Sequence, residues 1–156
     1  MNQHIVREIY ERHADNIYKL CYSYMKNSQD AQDALQNTFV KLMRVQKEFE
    51  SVNHEKAWLI VTAGNTCKDM LKSWWHKKTV SYDDNILEDI EGSEDDRELM
   101  EEILGLPTNI RVSVYLHYYE GYSSAEIGKL LKKGDGTIRG YLQKGRKLLK
   151  ERLGEF

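Results

Sequence analysis

Apolar residues recur along this chain at helical intervals, and nowhere in the strict alternation of a strand. Ile5, Ile9, Ile17, Leu20 and Cys21 fall three or four apart, with Tyr10, Tyr18, Tyr22 and Tyr24 around them, which predicts a helix from Ile5 to about Met25. Asn27-Ser28 interrupts the pattern, and Ser28 is suited to cap a second helix from about Gln29 to Lys47, with Ala31, Leu35, Phe39, Leu42 and Met43 as its inner face. After the polar loop Glu50-Ser51-Val52-Asn53, a third helix from about His54 to Trp75 carries Trp58, Leu59, Val61, Thr62, Asn65, Asp69 and Leu71. From about residue 79 to 95 the periodicity disappears. Helix resumes over Leu99–Leu104, and Pro107-Thr108 opens another over Asn109–Glu120.

The next stretch predicts a tighter plan. Gly121 suits the left-handed position that ends a helix. Ser123 and Glu126 have the spacing of a capping box, Ser at the N-cap and Glu three residues on. Ile127, Leu130 and Leu131 form the apolar stripe of the helix so opened; Lys132-Lys133-Gly134 makes a three-residue turn, and Ile138 and Leu142 face inward from a second helix. This is the helix-turn-helix plan, whose second helix lies in a DNA major groove. Periodicity alone fits an ordinary helical hairpin equally well. The outward residues favour DNA: Arg139, Gln143 and Lys144 are read as one face, and Arg146, Lys147, Lys150 and Arg152 continue the positive charge. Arg and Gln read base edges, while Lys and Arg hold phosphates.

Charge sharpens the division. The net charge of −2 conceals segments of +3 over residues 1–80, −10 over residues 81–105 and +5 over residues 106–156. The acidic middle reads as a linker that self-repulsion keeps extended. The fold class is therefore all-α: a three-helix N-terminal module over residues 1–78, a flexible acidic linker over 79–97 and a helix-turn-helix module over 98–156. No apolar run is long enough to cross a membrane. Met1-Asn2-Gln3-His4 lacks a signal-peptide pattern, so a cytoplasmic location without membrane insertion is expected. Cys21 and Cys67 lie far apart in sequence on apolar faces and read as reduced core cysteines. The five histidines have no ligand spacing and no nucleophile has an evident base, so neither a metal, a cofactor nor an enzyme activity is expected.

Two separate sets of residues resemble one family. Asp30-Ala31-Gln32-Asp33-Ala34-Leu35-Gln36-Asn37-Thr38-Phe39, then Ala57-Trp58-Leu59 with Asn65 and Asp69, resemble region 2 of bacterial RNA polymerase sigma factors of the extracytoplasmic-function (ECF) type. Leu106-Pro107, Tyr118 to Ser123, and Gly136-Thr137-Ile138-Arg139 resemble region 4 of the same factors. The resemblance covers nearly the whole chain. It departs at Lys132 and Lys133, where the family has glycine and an aliphatic residue, at Gly140, Tyr141 and Gly145 in the second helix, and at Thr62 and Gly64.

The resemblance implies that the chain binds core RNA polymerase and directs promoter recognition and melting. Asp33 and Gln36 would meet the polymerase clamp; on spacing alone they would be a solvated polar face. Val52, Asn53 and His54 correspond to a loop that reads a flipped base of the minus-ten element, with Asn65 and Lys68 on the melted strand. Trp74 and Trp75, beside Lys72, Lys77 and Lys78, either stack on unpaired bases or seal the end of the three-helix core. Arg139, Gly140, Gln143 and Lys144 would face the minus-thirty-five duplex, and Lys132, Lys133 and Arg146 its phosphates. The linker would thread a basic channel of polymerase as a transcript mimic, or act as a plain spacer. An anti-sigma factor is a further partner the resemblance suggests. Two other functions fit the residues alone: a stand-alone helix-turn-helix regulator, and a helical protein-binding adaptor without DNA binding.

Overall fold

A computed structural model describes residues 2–74 and 101–153, apart from the side chain of Trp74. The chain divides into two compact units, residues 1–82 and 83–156. Both are all-helical among the described residues. The predicted linker at 79–97 and Trp75 lie outside those residues.

In the first unit α1 (Gln3–Met25), α2 (Ser28–Val45) and α3 (Val52–Trp74) all pack on one another. Ile9, Ile17, Leu20, Cys21 and Met25 meet Ala31, Ala34, Leu35, Phe39 and Leu42, with Leu59, Ile60, Ala63 and Cys67 closing the third side. Ala31, Ala34 and Ala63 are fully buried, and small side chains at such positions let helix axes approach.

Four expectations need correction. Ile5 is 46% exposed, because Val6 takes the inward position in the first turn of α1 and Ile5 instead borders a cleft of about 400 Å3 with Ile9, Phe49 and Glu55. Met43 is 50% exposed: the next residue after buried Leu42 is turned about 100° away from the core. The cap of α2 is Asn27, not Ser28. Lys26 closes α1 in the left-handed region (φ 66°), its N–H donating to Tyr22 O at 2.9 Å, and this leaves Asn27 extended with its Oδ1 accepting from Asp30 N at 2.9 Å. Finally, α3 begins at Val52 rather than His54, because Ser51 Oγ accepts from His54 N at 3.0 Å and starts the helix early.

The two cysteines also meet. Cys21 and Cys67 are free, buried and hydrogen-bonded to each other, and that bond, with burial, pushes the Cys67 thiol well above its ordinary pKa. Distance in sequence hid the pair, but both remain core thiols.

The second unit contains α4 (Thr108–Tyr118), α5 (Ser124–Leu131) and α6 (Asp135–Leu153). Ile103, Leu104, Leu106, Ile110, Val114, Tyr115, Leu116, Ile127, Ile138, Leu142 and Leu149 are its buried core. Gly121 holds the left-handed conformation between α4 and α5 (φ 78°), and Gly121 N and Tyr122 N donate to His117 O and Leu116 O. The capping box forms in full: Glu126 N donates to Ser123 Oγ at 3.2 Å, and Ser123 N to Glu126 Oε1 at 2.9 Å. The Ser123 backbone N–H holds the Glu126 carboxyl below its ordinary range. A depressed pKa stabilises the folded state above the unfolded value, so this contribution is lost as pH falls through the folded one.

Glycines define how α6 is held. A Cβ on Gly145 would stand 2.6 Å from Val114 Cγ2 and 3.1 Å from Ile110 Cγ2, whereas a Cβ on Gly140 would meet nothing within 4 Å. Two substitutions of the same type should therefore move stability in opposite directions. Gly145→Ala should destabilise the second unit by about 1–3 kcal/mol through overpacking. Gly140→Ala should stabilise it by about 0.5–1 kcal/mol through helix propensity. Hydrogen-exchange protection of α4 and α6 in the full chain measures both.

Candidate nucleic-acid interface

α5, the turn and α6 build one exposed basic surface. Ile138, Leu142, Gly145 and Leu149 hold α6 on the core, which turns Arg139, Gly140, Gln143, Lys144 and Arg146 to solvent. Lys132, not Gly134, takes the left-handed position of the turn (φ 57°), and Lys133 N donates to Gly128 O at 2.9 Å. That fold-back needs Gly128, whose Cβ would stand 2.7 Å from Lys133 O. A glycine inside a short helix was the sequence signal for this contact, and the periodicity reading passed over it. Lys132 is exposed and Lys133 half-buried at this corner.

Arg139, Gln143 and Arg146 line an open cleft of about 680 Å3 together with His117, Ser123 and Ser124. Lys144 was expected on the same face. It is exposed but does not border the cleft, because five residues at about 100° each carry it well round the helix from Arg139. The arginines are already oriented. Arg139 Nε lies 3.5 Å from Asp135 Oδ2, and Asp135 Oδ1 accepts from Ser124 Oγ at 2.5 Å, joining the starts of α5 and α6. Arg146 Nη1 donates to Tyr118 OH at 3.4 Å. The acid four residues before Arg139 was readable as a helical ion pair; the Tyr118–Arg146 bond, 28 residues apart, was not.

In the first unit Asp33 and Gln36 are both exposed on α2, opposite its buried face. Sequence reasoning missed what continues their stripe. Val40, 38% exposed, and Met43 follow at helical spacing and add apolar area to the polar pair.

Val52, Asn53 and His54 form the first turn of α3 rather than a loop. Val52 is 52% exposed and Asn53 is exposed. His54 is fixed: Glu50 N donates to its Nδ1 at 3.2 Å, and its ring meets Phe49 edge-on at 5.3 Å, with Trp58 tilted against the same Phe49 at 5.9 Å. A backbone N–H donating to Nδ1 requires Nδ1 to be the acceptor, which leaves Nε2 to carry the ring proton as a donor. Asn65 and Lys68 are exposed farther along α3. Eleven residues are close to three helical turns, so Asn65 lies on the His54 side, and the helix carries both along one line. Trp74 is the last residue of α3, and neither tryptophan's proposed stacking falls on described side chains.

Among the described residues no group of His, Cys, Asp and Glu could hold a metal, and no helix is long and apolar enough to cross a membrane. The candidate surfaces among the described residues are the basic cleft of the second unit and the exposed faces of α2 and α3.

The chain is similar to known proteins. Residues 9–76 match the family model of Sigma-70 region 2, and residues 96–149 that of Sigma-70, region 4. The chain is 28% identical over 158 residues to the ECF RNA polymerase sigma factor SigE of Mycolicibacterium smegmatis, covering 95% of this chain and 61% of SigE. It is 27% identical over 160 residues to the RNA polymerase sigma factor CarQ of Myxococcus xanthus, covering 99% of this chain and 92% of CarQ. The fold resembles the sigma factor RpoE of Bartonella quintana, solved in complex with the anti-sigma factor NepR, with a TM-score of 0.74 at 20% identity over 95% of this chain and 96% of that one. Region 2 and region 4 occur here in their order, on the two units that carry the exposed faces described above, and relatives aligned along nearly all of the chain are sigma factors: the chain belongs to the sigma-70 family of RNA polymerase sigma factors, in its ECF type.

Proposed function

We propose that this sigma factor docks on core RNA polymerase through Asp33 and Gln36, with Val40 and Met43 extending the contact. In the complex it reads the minus-ten element through Val52, Asn53 and His54, with Asn65 and Lys68 along the melted strand and Trp74 and Trp75 available at its edge. The minus-thirty-five duplex meets Arg139, Gly140 and Gln143, while Lys132, Lys133, Lys144 and Arg146 neutralise phosphates. It works in the cytoplasm as an initiation factor with no catalytic step of its own, and an anti-sigma factor is its third expected partner. The observation that carries the reading is the second unit's cleft, where two buttressed arginines and Gln143 stand together on the exposed side of a capped helix-turn-helix.

Run-off transcription with purified core polymerase on genomic promoter fragments tests this. Specific transcripts should require both core and this chain. A chain that binds the same fragments equally well without core would instead be a stand-alone regulator. One that binds no DNA even with core would be an adaptor.

A further inference from the structure

The first turn of α3 is anchored to α1 by ionic groups. Glu55, three residues after Val52, is buried, with its side chain 10% exposed. Its Oε1 accepts from Arg12 Nη1, and His13 Nε2 lies 2.7 Å from the same oxygen. A carboxylate offers only lone pairs, so the Nε2 of His13 is the donor there. His13 is itself buried and Arg12 partly exposed, so α1 grips the start of α3 from inside and from the rim.

Packing alone would attach α1 to α3 as well, because replacing a buried ion pair by well-fitted apolar residues is often neutral or stabilising. What an ionic network adds is direction: a carboxylate held by two donors fixes the rotation and height of its helix turn. Here that turn carries Val52, Asn53 and His54. The turn is fixed again by the Ser51 cap, the Glu50–His54 hydrogen bond and the Phe49 ring. Recognition groups must be held within about 0.5 Å of productive geometry. We infer that Arg12, His13 and Glu55 form a positioning clamp that sets base discrimination in the minus-ten element without touching DNA. The inference rests on the reading that Val52–His54 face the base.

The test uses holoenzyme reconstituted from core polymerase and the full chain. The probes are fluorescent single-stranded minus-ten oligonucleotides from a promoter found by run-off transcription, with each base placed in turn at each position. Arg12→Ala and Glu55→Gln should each flatten the preference at one position by about tenfold, the effect of losing a hydrogen bond to a charged group. Affinity for core should stay within about twofold, as for a change remote from that face. Arg12→Lys should restore most of the preference. Should Glu55→Gln fail to fold, Arg12→Ala alone carries the test, since it removes only the rim partner.

Preserved discrimination in the clamp variants, with discrimination lost in Asn53→Ala, overturns the clamp and leaves the reading turn intact. A proportional fall in core affinity and discrimination, without rescue by Arg12→Lys, makes the network a stability element and also overturns the clamp. If Asn53→Ala and His54→Ala change no preference either, the reading of Val52–His54 is wrong and the clamp falls with it.

Discussion

Asp33→Arg combined with Gln36→Ala should cost about 3 kcal/mol of affinity for core RNA polymerase, on the order of a hundredfold, while the three-helix unit stays folded. The two halves of that expectation have separate causes. Folding survives because both residues are exposed and the core beneath them is Ala31, Ala34, Leu35 and Leu42. Surface changes of this kind usually stay within about 0.5 kcal/mol. Affinity falls because a reversed charge inside a polar interface leaves its counterpart facing like charge, unpaired and partly desolvated. Met43→Asp should add to the loss, since a half-exposed methionine on the same stripe contributes apolar area only when a partner covers it. Equilibrium binding to core with circular dichroism on the same samples separates the effects. Unchanged affinity in the double variant would take Asp33 and Gln36 out of the interface.

These residues also show what the sequence could reveal. Among the described residues, binary patterning located α1 to α6 where apolar residues recur at the helical period, although α4 is buried on every side from Ile110 to Leu116. The capping box of α5 was equally plain, its two hydrogen bonds being local and written in residue types three apart. Errors arose where adjacent apolar residues compete for one inward position. Ile5 and Met43 are as apolar as Val6 and Leu42, and only the rotation of the helix decides which of each pair faces the core. Asn27 displaced Ser28 as cap because Lys26 adopts a left-handed conformation that residue type does not favour. In the candidate interface the exposed basic residues of α6 were legible. The groups that hold the interface were less so: Tyr118 on Arg146, and Arg12 and His13 on Glu55, meet across 28 to 43 residues. No local pattern marks a contact made by tertiary folding.

Arg139→Ala and Lys132→Ala should fail in different ways on a library of minus-thirty-five sequences. Arg139 stands on the exposed side of α6 in the cleft, and its present partner is Asp135. An ion pair this exposed is worth less than about 1 kcal/mol, so Asp135 aims the guanidinium without holding it back from a base. A bidentate contact to guanine O6 and N7 carries about 1–3 kcal/mol of discrimination. Its removal should therefore equalise the bases at one position and leave the others ranked as before. Lys132 lies at the corner of the turn, off α6, and on the proposed reading it would meet phosphates rather than base edges. Losing one phosphate contact weakens every sequence by a similar factor and lowers the slope of log affinity against log salt by about one. Binding by reconstituted holoenzyme at several salt concentrations gives both readouts. Matching profiles for the two variants across the library would mean that Arg139 also only positions, and that sequence is read by Gln143 or by the shape of the duplex.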